Sequence, residues 1–367
     1  MTLKTLLLGS AAAFAVVGGA QAADLSVAEP VESVKVCDYF GAKYWYIPGT
    51  DTCLAVGGKV TFYANIHNSM GLVSGGSSAI VSHSSNWDFV TEAGLSFDAK
   101  SITDMGVLAG HIALKGTYDG GGTAPTVGLD GAYLSWGFIK LGHFGSTFNP
   151  DGAYTDDYGV SLGGYKSALA DNNKIELSWA AAGFGLALGI EDPRETFGTT
   201  LPTSYSMPLI TGKITTSQAA WSGLLSAGFV QLAAGTSWGV DGEVTFNLGA
   251  NDHIRINGAY GDQAFIGTGG GAGVTLAGML AVAGTPASNN GYSAFASFQH
   301  LFSSTFRGDI DVGYTKFSGL PGSVWQVAGD LVWMPASGLK IKTGVMFRQP
   351  SVGASAWAGQ VAVRREW

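Results

Sequence analysis

Segment after segment of this sequence alternates apolar residues with charged or polar ones. In Thr305–Phe317, the residues Phe306, Gly308, Ile310, Val312 and Tyr314 share one parity, while Arg307, Asp309 and Asp311 share the other. In Leu339–Arg348, Ile341, Thr343, Val345 and Phe347 oppose Lys340, Lys342 and Arg348. In Lys174–Ala182, Ile175, Leu177 and Trp179 oppose Lys174, Glu176 and Ser178. Successive side chains of a strand point to opposite faces, so this period of two predicts strands with one apolar and one wet face. A single such strand fits a soluble sandwich equally well. Many of them, with charges on the same parity, do not fit a small sealed barrel, whose interior is apolar. A charged face needs water and an apolar face needs somewhere dry. A membrane barrel around a water-filled lumen satisfies both.

The pattern gives an even number of strands, sixteen, from Ala55–His67 to Ala356–Trp367. Connections alternate in length. Long segments such as 67–85, 119–128 and 192–212 are followed by short turns at Lys100–Met105, Trp136-Gly137, Ala182-Gly183, Ser222-Gly223 and Ser303-Ser304. Long loops outside and short turns on the periplasmic side are the habit of bacterial outer-membrane barrels. The predicted fold is therefore all-β, an antiparallel transmembrane β-barrel of about sixteen strands. Trp87, Tyr118, Trp221, Trp333 and Trp357 fall near predicted strand ends, as interfacial aromatic girdles require. With 13% charged residues, 11% aromatics and 56 Gly, disorder and helical membrane bundles are both poor fits. The most apolar late stretch, Gly271–Gly284, is too short and Gly-rich for a transmembrane helix and is read as part of a loop, although 261–291 could also hide a further strand pair.

One connection stands out. Residues 145–173 read GSTFNPDGAYTDDYGVSLGGYKSALADNN, too broken for a strand and too Gly-rich for a long helix. A connection of this length in a compact domain points to function. It is expected to fold into the barrel and narrow the lumen, with Asp151, Asp156 and Asp157 supplying negative charge. Strand parity puts Lys59, Lys115, Arg255, Arg307, Lys342 and Arg348 on the lumen face as a basic pore wall. Opposed charges across a gap orient water and dipolar solutes and disfavour apolar ones. The alternatives are a solvated turn, or a cation site at Asp156-Asp157.

The first 22 residues contain one charge, Lys4, an apolar core Leu6–Val17 and the small-x-small sequence Ala20-Gln21-Ala22. They read as a signal peptide cleaved near Ala22. Residues 23–53 read as an acidic periplasmic tether and an N-terminal segment closed by Cys37 and Cys53, and residues 54–367 as the barrel. An exported chain favours a disulfide for these two cysteines, with a metal pair as the alternative. Without Lys4, 18 basic residues face 27 acidic ones, a balance of −9 that argues against nucleic acid and predicts a weak cation preference.

Catalytic patterns are missing. His67, His83, His111, His143, His253 and His300 are scattered, with no second ligand at metal spacing, and are read as lumen, loop or interface residues. There is no P-loop, and GTGGGAG at 267–273 lacks the flanking strand and helix of a phosphate cradle. No enzyme activity, cofactor or metal is expected.

The segment VKVCDYFGAKYWYIPGTDTCLAVGGKV, residues 34–60, resembles the start of mature alphaproteobacterial porins of the rhizobial type, whose V-C-D…Y-I-P-G-T-x-T-C-L core is followed closely from Val36 to Leu54. A strand ending on Trp367 resembles the C-terminal assembly signal of outer-membrane barrels. The resemblance implies a sixteen-stranded homotrimer in outer-membrane lipid, inserted by the barrel assembly machinery. It also implies that small hydrophilic solutes diffuse passively through it and that its third external loop folds inward. This chain departs from the family at Val56-Gly57-Gly58, where more basic residues are usual. Two alternatives stand beside a general diffusion porin: a solute-selective channel on the same barrel, and a poorly conducting structural or surface barrel.

Overall fold

The computed structural model describes residues 35–41, 43–68, 74–75, 78–79, 86–118, 126–149, 151–156, 169, 171–197, 207–232, 235–262, 265–266, 290–318, 322–351 and 355–367. The expected signal peptide, most of the acidic tether, Asp157, His83 and Gly271–Gly284 lie outside the described residues.

Sixteen long strands follow one another: β1 Cys53–His67, β2 Trp87–Thr103, β3 Gly106–Tyr118, β4 Thr126–Trp136, β5 Ile139–Phe144, β6 Asn172–Ala181, β7 Phe184–Glu191, β8 Leu209–Ser217, β9 Trp221–Leu232, β10 Gly235–Leu248, β11 Asp252–Asp262, β12 Asn290–Ser303, β13 Phe306–Phe317, β14 Ser323–Ala336, β15 Leu339–Pro350 and β16 Ala356–Glu366. Each pairs antiparallel with the next, and β16 returns to β1 with Ala358 opposite His67 and Glu366 opposite Lys59. The sheet is thus a closed barrel with no free edge, which satisfies the backbone of a spanning sheet without water. A two-residue strand, Trp45–Tyr46, adds to the start of β1, and a separate short ladder pairs Ser74–Gly75 with Ser78–Ala79.

The two faces of the wall invert the arrangement of a soluble protein. On β13, Ile310 and Val312 are exposed on the outside while Asp309, Asp311 and Thr315 are buried inside. On β1, Val60, Phe62 and Ile66 are exposed while Thr61, Asn65 and His67 are buried. The exposed apolar band is the surface that lipid covers, and the enclosed polar face is the one water can reach. Trp87, Tyr118 and Trp357 ring one end of this band, while Trp221 and Trp333 ring the other.

Short turns gather at one end. Ala181 pairs with Phe184, leaving Ala182 and Gly183 at φ 51° and 79°, a two-residue hairpin turn of the primed kind. One expected turn is displaced. Between β8 and β9 the chain turns at 218–220, since Ser217 pairs with Ser222 and Trp221 already pairs with Phe246. The run Ala219-Ala220-Trp221 carries no turn signal, and Trp221 belongs to the girdle at the start of β9 and not to the end of β8. Several strands also begin earlier at the loop end than alternation suggests; β8 starts at Leu209 and β10 at Gly235. There, Thr211-Gly212 and Gly235-Thr236-Ser237 blur the period of two.

The C-terminus completes the seam. Gly58 and Trp367 exchange both backbone hydrogen bonds, 3.2 and 3.1 Å. A Cβ at Gly58 would collide with the Trp367 ring, so glycine there lets the terminal indole cross the first strand.

Candidate functional site

The connection between β5 and β6 is the third at the loop end of the barrel, and its described residues touch one wall strand after another. Its root is fixed near β6 and β7. The Thr147 amide donates to Glu191 (2.9 Å) and its hydroxyl to Glu176 (2.6 Å), while Lys174 Nζ donates to Thr147 Oγ1 and to Glu176, both at 2.8 Å. Asn172 and Thr211 also donate to Glu191, at 2.7 and 2.6 Å. Phe148 is then buried with Leu169, Leu209, Val230 and Phe265, edge-on to the last at 5.2 Å. Its carbonyl accepts from Ser226 on β9 (2.6 Å). Asn149 ties the two limbs of the loop together by exchanging hydrogen bonds with Leu169 (3.0 and 2.9 Å).

Further on, the loop meets β11. Arg255 donates to the carbonyl of Gly152, lies 3.7 Å from Asp151, and packs its guanidinium on the Tyr154 ring at 4.5 Å. Burial raises the pKa of the Tyr154 hydroxyl, and the neighbouring Arg255 charge opposes that shift. Residues 154–156 make a 3₁₀ turn. There the Thr155 amide donates to Asp311 of β13 at 2.9 Å, its hydroxyl donates to the same oxygen, and its carbonyl accepts from Lys342 of β15. Residues 147–149 and 151–155 therefore run along the inner wall from β6 to β15.

The six basic residues predicted for the wall all lie on lumen-facing positions, but in two settings. Arg255 and Lys342 are engaged by the loop. Lys342 also pairs with Asp330 (2.9 Å), Arg307 with Asp309 (3.2 Å), and Arg255 with Glu243 (3.4 Å). Lys59 pairs with Glu92 (3.4 Å), Lys115 with Asp130 (2.6 Å), and Arg348 donates to Gln326 (2.8 Å). Asp151 is 71% exposed in its side chain, and its charge faces open space more than its Arg255 partner does. Asp156 lies in the 3₁₀ turn and Asp157 outside the described residues.

Parity alone did not reveal Thr155, Thr147 or Glu191, because their partners lie far away in sequence. Nor did it reveal the ladder on β3 to β5 that meets the root of the loop at Lys174. His111 stacks on Tyr133 at 4.8 Å, and Lys140 lies over the rings of Tyr133 (3.7 Å) and Phe144 (4.0 Å). Lys174 lies over the same Phe144 ring at 4.2 Å. The alternation of β4 and β5 gave the signal, with ring and ammonium residues at matching positions on one face.

The comparisons with known proteins agree with this geometry. The family model described as the porin subfamily matches residues 24–351. Among curated proteins, the chain is 41% identical over 154 residues to a putative outer membrane protein, y4fJ, of Sinorhizobium fredii (39% of this chain, 43% of that protein). It is 35% identical over 197 residues to outer membrane protein IIIA of Rhizobium leguminosarum bv. viciae (52% and 49%). It is 33% identical over 241 residues to porin Omp2a of Brucella suis (58% and 62%). The chain thus spans about half the length of the curated relatives it matches. Among solved structures, the outer membrane channel DcaP of Acinetobacter baumannii superposes with a TM-score of 0.66 at 14% identity, covering 88% of this chain and 99% of that one. The trimer form of OmpT from Vibrio cholerae gives 0.58 at 10% identity, covering 87% and 100%. These likenesses show the same fold. With its closed sixteen-stranded barrel, polar inside and apolar outside, and a family match over most of its length, this chain belongs to the porin subfamily of bacterial outer-membrane proteins.

Proposed function

We propose that the protein is a diffusion porin: a water-filled channel for small hydrophilic solutes and ions. The observation that carries this reading is the path of the third loop. Residues 147–149 and 151–155 make their contacts on the inner wall, on β6 to β15. The passage then runs between the exposed side of this loop, with Asp151, and the wall of β1 to β5, with Lys59, Lys115 and Lys140. Asp156 continues the acidic rim. Arg255 and Lys342 act as fasteners of the loop, and Arg307 and Arg348 complete the wall beside it. The apolar outer band sits in lipid, the signal peptide delivers the chain for export, and Trp367 is the end read by the assembly machinery. Three copies assemble, as the named trimer form of OmpT does, with each lumen its own channel.

The test is single-channel recording in a planar bilayer. Current steps that close in threes support a trimer of open pores. A reversal potential in a salt gradient gives the sign of selectivity, with cations expected from the acidic balance. A silent membrane containing folded barrels would sink the reading and favour a structural barrel. The ring-and-ammonium ladder on β3 to β6 favours a second reading, a solute-selective channel on the same barrel. Flux that saturates with solute concentration distinguishes it from general diffusion.

A further inference from the structure

The disulfide-closed N-terminal segment adds a feature at the opposite mouth. Cys37 and Cys53 are bonded, and both are buried. Cys53 stands directly opposite Lys100 on β2, so the two side chains share a face of the sheet. That face is the lumen face. Two residues along β2, on the same parity, Asp98 holds His111 at 2.8 Å, and still further along Glu92 and Asp88 are buried inside. The bridge therefore pulls the chain at Cys37 inward, beneath the barrel wall.

Beyond Cys37 the chain forms a compact knob. Asp38–Phe40 form a 3₁₀ turn, and the Cys37 amide donates to the Tyr44 carbonyl at 2.9 Å. The chain then returns as Trp45–Tyr46 to pair with Leu54 and Cys53. Lys100 reaches from the wall to the knob, its ammonium 4.8 Å from the Tyr44 ring and 5.8 Å from the Phe40 ring. An ammonium over rings is a directed attraction that strengthens where water is thin. Tyr133 on β4, at the foot of the ring ladder, is within electrostatic reach of Tyr44, Lys100 and Asp98. Meanwhile Asp38, Tyr39 and Lys43 are exposed. The knob is packed on its wall side and open on its other side.

The geometry points to residues 37–53 as a second constriction, at the periplasmic mouth, which the disulfide and the Lys100 ring contacts hold inside the lumen. This rests on the protein being a channel. The third loop narrows the passage from the outer end, and the knob narrows it from the turn end, against the same β1 to β4 wall. Solutes would pass the ring-and-ammonium ladder between the two. The exposed Asp38 and Lys43 then stand where a permeating ion leaves or enters, and they bear on selectivity without touching the third loop.

Three proteins decide it: the wild type, the Cys37→Ser/Cys53→Ser double variant, which leaves no lone thiol, and Lys100→Ala, which keeps the bridge. All are first shown to run as folded, heat-modifiable barrels. Unit conductance in a planar bilayer is then compared in the same salt. The expected result is a higher unit conductance for the double variant, a smaller rise for Lys100→Ala, and wider size cut-off for neutral sugars in both. Equal conductance and equal cut-off in all three folded proteins would overturn the constriction while leaving the porin reading intact. A silent wild type beside a conducting double variant would overturn the constriction in favour of a plug, and the open-porin reading with it. Silence in all three overturns both readings.

Discussion

The two sides of the lumen hold their charges differently. On β10 to β15 nearly every charge is matched at short range: Lys342 with Asp330, Arg307 with Asp309, Arg255 with Glu243, and the third loop is fastened over this network through Thr155 and Gly152. On β2 to β6 Lys115 pairs with Asp130 and Lys174 with Glu176, but two further ammonium groups lie over rings, Lys140 over Tyr133 and Phe144 and Lys100 over Tyr44. A dense set of enclosed pairs resists change, since removing one partner strands a buried charge. A cation resting on a ring face keeps its charge available to a passing solute. One wall therefore holds the loop in place, and under the proposed diffusion role the other meets the traffic.

The largest difference between the walls is expected from two parallel substitutions. Lys342→Met strands Asp330 and frees the Thr155 carbonyl, at a cost of about 3 kcal/mol. Lys115→Met removes a partner of the part-exposed Asp130 and is expected to cost less than about 1 kcal/mol. Denaturant midpoints of the two variants in the same lipid check this, and equal losses would erase the contrast. Current through Lys342→Met should also flicker, as the loop loses a fastener.

Thr155→Val keeps the amide bond to Asp311 and deletes only the hydroxyl donor. A hydrogen bond to a charged group is typically worth about 1.5–3 kcal/mol, and the retained amide puts the expected loss at the low end. Noise analysis of open-channel current, together with the unfolding midpoint, measures both consequences. A quiet channel of unchanged stability would place the loop's hold elsewhere.

Smaller still, and in selectivity more than stability, are the effects at exposed charges. Lys140→Gln should move the reversal potential toward stronger cation preference, and Asp151→Asn should move it the other way. Asp311→Asn, behind the loop, should shift it less than either while raising the noise. If Asp311→Asn shifts it most, the passage runs on the other side of the loop. The disulfide, which closes a loop of 16 residues, should contribute about 3 kcal/mol in the chain-entropy view. Comparing the unfolding of the Cys37→Ser/Cys53→Ser variant separates this from its effect on conductance.

The sequence by itself determined which side chains face lipid and which face the lumen, because the backbone period of two sets this and needs no distant partner. Ile310 against Asp311, and Val60 against Thr61, were legible in this way, as were the hairpin turn at Ala182-Gly183 and the pairing of two lone cysteines in an exported chain. The family motif at Val36–Leu54 was legible too, and the family match over residues 24–351 bears it out. The start of β9 was not, since an apolar run gives no sign of where a turn falls. What only the tertiary structure decided is which inward residues meet. Thr155 finds Asp311 and Lys342 across 156 and 187 positions of sequence, and Lys100 finds Tyr44 and Phe40 only because a disulfide folds the N-terminal segment under the wall. Parity assigns a face, but a partner across the lumen depends on how sixteen strands close and on where a loop is tied. Those are properties of the closed ring and of no single strand.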